Sequence, residues 1–148
     1  MNRYQRKILT HFILVVVVTL AAVVGMYNVK DIINRSEAMR AMEQLGEVIF
    51  RYRRENGTVP PASYVENIRP QLDGAVRLGE LIYRARWIEY NCPDYEILAY
   101  TRKNYRSLVA NPGYIVLRMD GTVEWVEPKV FEEQLQQQQS PLERQLSQ

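Results

Sequence analysis

The first apolar run in the chain has no polar face. From Ile8 to Tyr27 the sequence ILTHFILVVVVTLAAVVGMY carries no Asp, Glu, Lys or Arg. As a helix it spans about 30 Å, the thickness of a bilayer core. Phe12, Ile13, Leu14, Val15, Val16, Val17, Val18, Leu20, Val23 and Val24 are its candidate anchor residues. The β-branched run Val15 to Val18 suggests a strand in water, but in lipid only a helix satisfies its own backbone groups. Thr10, Thr19 and Gly25 are tolerable in such a helix, and His11, one turn after Lys7, falls at the interface, solvated rather than a ligand.

After Tyr27 the pattern becomes one-sided. Ala38, Met42, Leu45, Ile49 and Tyr52 recur at alternating spacings of four and three, the stripe of a helix that packs on a surface. This predicts an amphipathic stalk over residues 28–57 that continues from the membrane segment. Unbroken from Ile8 to Glu55, the helix would be about 70 Å long. Glu47 and Arg51 form an i,i+4 pair in the favourable order. Arg51, Arg53 and Arg54 oppose the negative end of the helix dipole before a Gly57 C-cap, so the cluster reads as helix chemistry rather than a phosphate site.

Beyond Pro60-Pro61 the periodicity shortens. Ser63-x-x-Glu66 has the form of a capping box opening a short helix to about Asn67 or Ile68. Residues 80–90, ELIYRARWIEY, read as a strand with Tyr83, Ala85 and Trp87 on one face and Arg84 and Arg86 on a wet one. Glu96 to Thr101 reads as the next strand. GYIVLRMDGTVEWV reads as a hairpin, with Asp120-Gly121 at the positive-φ positions of a tight turn. Pro128 suits the first turn of a terminal helix that docks Val130, Phe131 and Leu135 on the sheet. The Gln-rich tail, residues 136–148, has little to bury and is expected to be disordered. The predicted class is α+β: a long transmembrane-plus-stalk helix packed on a small antiparallel sheet, with a short C-terminal helix. The predicted organisation is a basic N-terminus (1–7), a span (8–27), a stalk (28–57), a small domain (58–135) and a tail (136–148).

Charge orients this plan. Arg3, Arg6 and Lys7 precede the apolar run and every Asp and Glu follows it, which puts the N-terminus in the cytoplasm and the remainder outside. A basic segment before an apolar one also describes a cleaved signal peptide. The length of the run and the mediocre cleavage site in AAVVGMYN favour retention. Past the span, 16 Lys+Arg face 17 Asp+Glu, a balance that argues against a dedicated nucleic-acid binder.

Candidate chemistry is sparse. A single histidine and a single cysteine, Cys92, provide no zinc set, no Cys/His pair and no intramolecular disulfide; Cys92 reads as a small, partly buried hydrophobe. Ser63, Ser107, Ser140 and Ser147 have no histidine to activate them. Asp94 with Glu96, and Glu124 with Glu127, read as solvated faces, and the Asp-Gly turn accounts for Asp120 without a calcium ion. Tyr83, Tyr90, Tyr95, Tyr100, Tyr105 and Tyr114 near Arg84, Arg86, Arg102, Lys103 and Arg106 form an interleaved set that could stack bases.

A short basic N-terminus, an apolar helix running into an amphipathic one, a loop, a small sheet and the closing hairpin Gly113 to Val126 together resemble the type IV pilin and type II secretion pseudopilin family. The resemblance implies a pilin-like shape on a bacterial inner (cytoplasmic) membrane, with the domain periplasmic or extracellular. The chain departs from the family's processing motif: His11, not Gly, precedes Phe12, and no acidic residue lies in the apolar run. The expectation is a non-enzymatic, uncleaved, single-pass subunit without cofactor or metal. Its partners would be the lipid bilayer and other protein subunits, in a homo- or hetero-oligomer rather than a filament. The alternatives are an extracytoplasmic binding module, for DNA through the Tyr/Arg surfaces, and a secreted domain.

Overall fold

The computed structural model describes residues 2–89, 91–105 and 111–146. Tyr90, Arg106, Ser107, Ser147 and Gln148 lie outside the described residues. Helix α1 (Arg3–Asn56) takes in both the predicted span and the stalk. The chain forms two compact units, one taking in α1 up to Ile33 and the other beginning at Asn34. In the first, residues 2–27 are exposed throughout.

The second unit is α+β, as the sequence predicts. After α1 come α2 (Ala62–Ile68), α3 (Ala75–Leu78), β1 (Ile82–Tyr83), β2 (Ile97–Lys103), β3 (Gly113–Arg118), β4 (Val123–Val126), α4 (Pro128–Gln138) and α5 (Pro141–Leu146). The strands form an antiparallel meander in sequence order. Period-2 alternation gives each face its own core. Ile115 and Leu117 of β3 join Ala38, Ala41, Met42, Leu45 and Ile49 of α1, all fully buried, while Val116 joins Tyr100, Val126 and Phe131 on the opposite face. A bulge at Leu98 breaks the alternation in β2. Ile97 pairs with Arg118 and Ala99 with Leu117, so Leu98 and Ala99 both face α1 while Ile97 and Tyr100 face α4.

The stalk stripe is thus the floor of the core. Gly46 lies within it, and a Cβ there would sit 3.0 Å from Leu117 Cδ1, so its lack of a side chain lets β3 approach α1. Tyr52 is half-buried at the end of the stripe, against Tyr64 with ring centroids 4.9 Å apart. The helix stops where expected: Gly57 takes a positive φ and its N–H donates to the Arg53 carbonyl at 2.8 Å.

Several local expectations are corrected. Residues 80–90 do not form a full strand: after the Ile82–Tyr83 pairing, the Trp87 N–H donates to the Arg84 carbonyl at 2.8 Å and the chain curls into a 3₁₀ turn over Ala85–Trp87. Arg84 is buried, because a carboxylate from the tail lies beside it. The capping box does not form. α2 starts at Ala62 with Pro61 as its N-cap, which puts the Ser63 hydroxyl inside the helix and leaves the Pro61 carbonyl to accept from Tyr64 N–H at 3.0 Å.

In the hairpin only Gly121 has positive φ; Asp120 does not. The loop is one residue longer than the predicted two-residue turn, with Gly121 N–H donating to the Arg118 carbonyl and Arg118 N–H to that of Thr122. The extra residue, Met119, is buried in the α1-side core. The tail is helical over much of its described length. α4 continues to Gln138, and α5 follows with Glu143 buried. On α4, Phe131 and Leu135 reach the core as expected, whereas Val130 is exposed.

Candidate functional site

Two features are not explained by an ordinary soluble core. The first is the apolar part of α1. Phe12, Ile13, Leu14, Val15, Val16, Val17, Val18, Leu20, Val23 and Val24 are all between 40% and 65% exposed. Such a surface in water lacks a solvent that suits it. The polar side chains within it are turned onto their own helix: Thr10 Oγ1 donates to the Arg6 carbonyl at 2.9 Å and Thr19 Oγ1 to that of Val15 at 2.8 Å. His11 Nδ1 is 2.7 Å from the Lys7 carbonyl. In hydrocarbon this i−4 bonding leaves no hydroxyl in need of water. Among the described residues α1 is the one helix long and apolar enough to cross a membrane. Arg3, Arg6 and Lys7 occupy its first turns and are exposed.

No protein family, curated protein or solved structure matches this chain.

The second feature is a buried ionic cluster in the α+β unit. Arg84, 1% exposed, lies where β1 leaves the sheet, with its N–H donating to the Leu98 carbonyl at 2.8 Å. Its guanidinium grips Glu143 of α5 with two parallel hydrogen bonds, Nε to Oε1 at 2.7 Å and Nη2 to Oε2 at 3.0 Å. Nη1 donates to the Ile97 carbonyl at 2.7 Å. Glu96 stands 3.8 Å away, and Gln138 Oε1 accepts from Ile97 N–H at 2.9 Å. Burial pushes the Glu96 carboxyl up, Arg84 opposes that, and Glu143 and Glu89 add to it. Planar bidentate pairing of this kind is directional as well as strong. The sequence places Arg84 on a wet strand face within the interleaved Tyr/Arg set and Glu143 in no motif, and 59 positions separate them. No local signal in the sequence joins them.

The remaining candidates are dispersed. Tyr83 OH donates to the Pro60 carbonyl at 2.9 Å, and Tyr100 and Tyr114 pack on Phe131 with centroids 4.8 and 3.8 Å away. Arg86 lies over Trp87, 5.3 Å from its centroid. Arg84 is committed to Glu143, so the interleaved Tyr/Arg set does not present one platform among the described residues. Asp120 Oδ1 accepts from Thr122 N–H and Oγ1 at 2.8 and 2.7 Å, which holds its carboxyl below the usual range, and Glu124 pairs with Arg118. Cys92 is half-buried, and burial and the nearby Glu96 raise its thiol. Among the described residues no His, Cys, Asp and Glu group is arranged to hold a metal.

Proposed function

We propose that this chain is a single-pass, non-enzymatic subunit of a membrane-associated complex, with its α+β unit on the extracytoplasmic side of a bacterial inner membrane and a pilin-like plan. The observation that carries the reading is the contrast within α1, whose residues 8–27 are apolar on every side and exposed while Ala38 to Ile49 bury a single stripe. A helix apolar all round is matched to lipid, and a striped one to a protein surface. The basic residues before the span and their absence within it support the orientation. The bidentate clasp and the two-faced core serve packing, and Arg84 with Glu143 and Arg118 with Glu124 are paired with one another, which supports an interaction role over catalysis.

The test is topological. With Cys92→Ser removing the native thiol and Lys129→Cys placing one on the exposed start of α4, a membrane-impermeant maleimide should label intact cells whose outer membrane has been opened. The labelled protein should remain in the membrane after alkaline carbonate washing. Labelling only after cell lysis would reverse the orientation, and release by carbonate would remove the anchor. Blue-native electrophoresis of the detergent-extracted chain should then give a species larger than one copy. A strictly monomeric band without co-purifying protein would count against a subunit role.

A further inference from the structure

The clasp that holds α5 is unusual for a terminal helix. Glu143 is its one buried residue, while Leu142 and Leu146, one turn apart, are 65% and 69% exposed. α5 therefore adds no buried aliphatic side chain to the core of its own chain; its buried contact is the Glu143 carboxylate, beside exposed Arg144, whose Nη2 donates to the Gln136 and Gln139 carbonyls at 3.1 and 3.2 Å. Gln139 and Ser140 separate α5 from α4; Gln139 is extended, and Pro141 begins the new helix.

A buried guanidinium left without a carboxylate is costly, whereas exchanging one carboxylate for an identical one costs nothing in the pair itself. Arg84 thus disfavours an empty socket; Gln138 of its own chain is held beside it, Nη2 donating to the Gln138 carbonyl at 3.4 Å, but the carboxylate pair itself does not choose which copy supplies Glu143. A short connection that can redirect an element is also the usual route by which identical chains exchange it. The two exposed leucines supply apolar surface that a second copy would cover. We propose that the Arg84 socket accepts Glu143 from the tail of a second copy of this chain, making α5 an exchangeable strap between neighbouring subunits. This rests on the subunit role and names the partner and the contact through which it acts.

Two experiments with the full chain test it. In the first, membranes holding a mixture of isotopically light and heavy copies carry a photo-crosslinking benzoylphenylalanine in place of Leu142, with Glu143 intact. Irradiation should give light–heavy crosslinks mapping to residues 82–98. Crosslinks confined to single copies, in a sample that native electrophoresis shows to be oligomeric, would overturn the strap and leave the subunit role standing. A single-copy species on the native gel would overturn both. In the second, a fluorescent peptide of residues 136–148 is titrated into the folded Glu143→Ala chain. It should bind roughly tenfold or more tightly than the same peptide carrying Glu143→Gln, because the charged bidentate contact is lost. Equal binding of the two peptides would overturn the proposal, and the crosslinking result decides it if the Glu143→Ala chain does not fold.

Discussion

The two parts of α1 are built from similar aliphatic residues and differ in how they distribute them. From Phe12 to Val24 every position is exposed, whereas Ala38, Met42, Leu45 and Ile49 are fully buried with charged residues such as Glu43 and Glu47 between them. Both parts are helical for the same backbone reasons. What separates them is the symmetry of the surface each presents, since uniform apolarity suits an isotropic apolar solvent and a stripe suits one neighbouring face. A substitution should therefore register in membrane association when it falls in the first part and in the stability of the α+β unit when it falls in the second.

The largest expected effect lies outside both. Arg84→Ala leaves Glu143 buried without its cation and should destabilise the α+β unit by about 3–5 kcal/mol, while the fraction of protein in the membrane is unchanged. Denaturant unfolding of the detergent-extracted chain, followed by Trp fluorescence, measures the first, and carbonate extraction the second. The double replacement Arg84→Met with Glu143→Leu should recover much of the loss, because two apolar side chains need no partner. If Arg84→Ala unfolds with an unchanged midpoint, the clasp contributes nothing.

Leu45→Ala removes a fully buried side chain facing the sheet and should cost about 3–4 kcal/mol in the same unfolding assay, with extraction behaviour intact. Val17→Arg should do the reverse, opposing insertion by about 3 kcal/mol and moving protein into the carbonate supernatant at an unaltered unfolding midpoint. A Val17→Arg chain that stays in the membrane and unfolds early would mean that residue 17 packs on protein instead of lipid.

These contrasts also explain what was legible in the sequence. The stripe from Ala38 to Ile49 and the uniform run before it were readable because helical periodicity is a local property that does not depend on knowing the partner. The Gly57 stop and the Pro128 start were readable for the same reason. The hairpin was half legible: Asp120-Gly121 marks the turn, but its length is decided by Met119, which the core holds beyond the end of β3. The clasp was not legible at all. Arg84 alternates with apolar residues as a surface arginine would, Glu143 sits in a Gln-rich segment with little to bury, and only the folded chain brings them to 2.7 Å. A polar tail was expected to be disordered because apolar burial was the criterion; α5 is seated by charge.

The smallest expected effect concerns pH, and it too separates the parts. Between Phe12 and Met26 there is no titratable side chain, so membrane association should not respond to mild alkali. The α+β unit should, through Lys103. Its Nζ donates to the carbonyls of Arg77 and Leu78 at the end of α3, the latter at 2.6 Å. Burial, with a smaller contribution from Arg69, lowers its pKa from 10.5 to about 8. Because the folded value lies below the unfolded one, the cost of keeping the ammonium in the fold is fully present below about pH 8. Between about 8 and 10.5 the unfolded chain still binds a proton that the folded chain has released, so this group's contribution to stability rises with pH. Lys103 is about half-buried, and solvent screening holds the gain to under about 1 kcal/mol. Tyr83 and Tyr100, whose phenols burial raises, act in the opposite sense only near and above their ordinary ionisation range. The measurement is therefore the difference in urea midpoint between the native chain and Lys103→Met, taken at about pH 7 and about pH 9.5. The native chain should gain on the variant over that interval, and a constant difference would mean that the Lys103 amine titrates as it does in water.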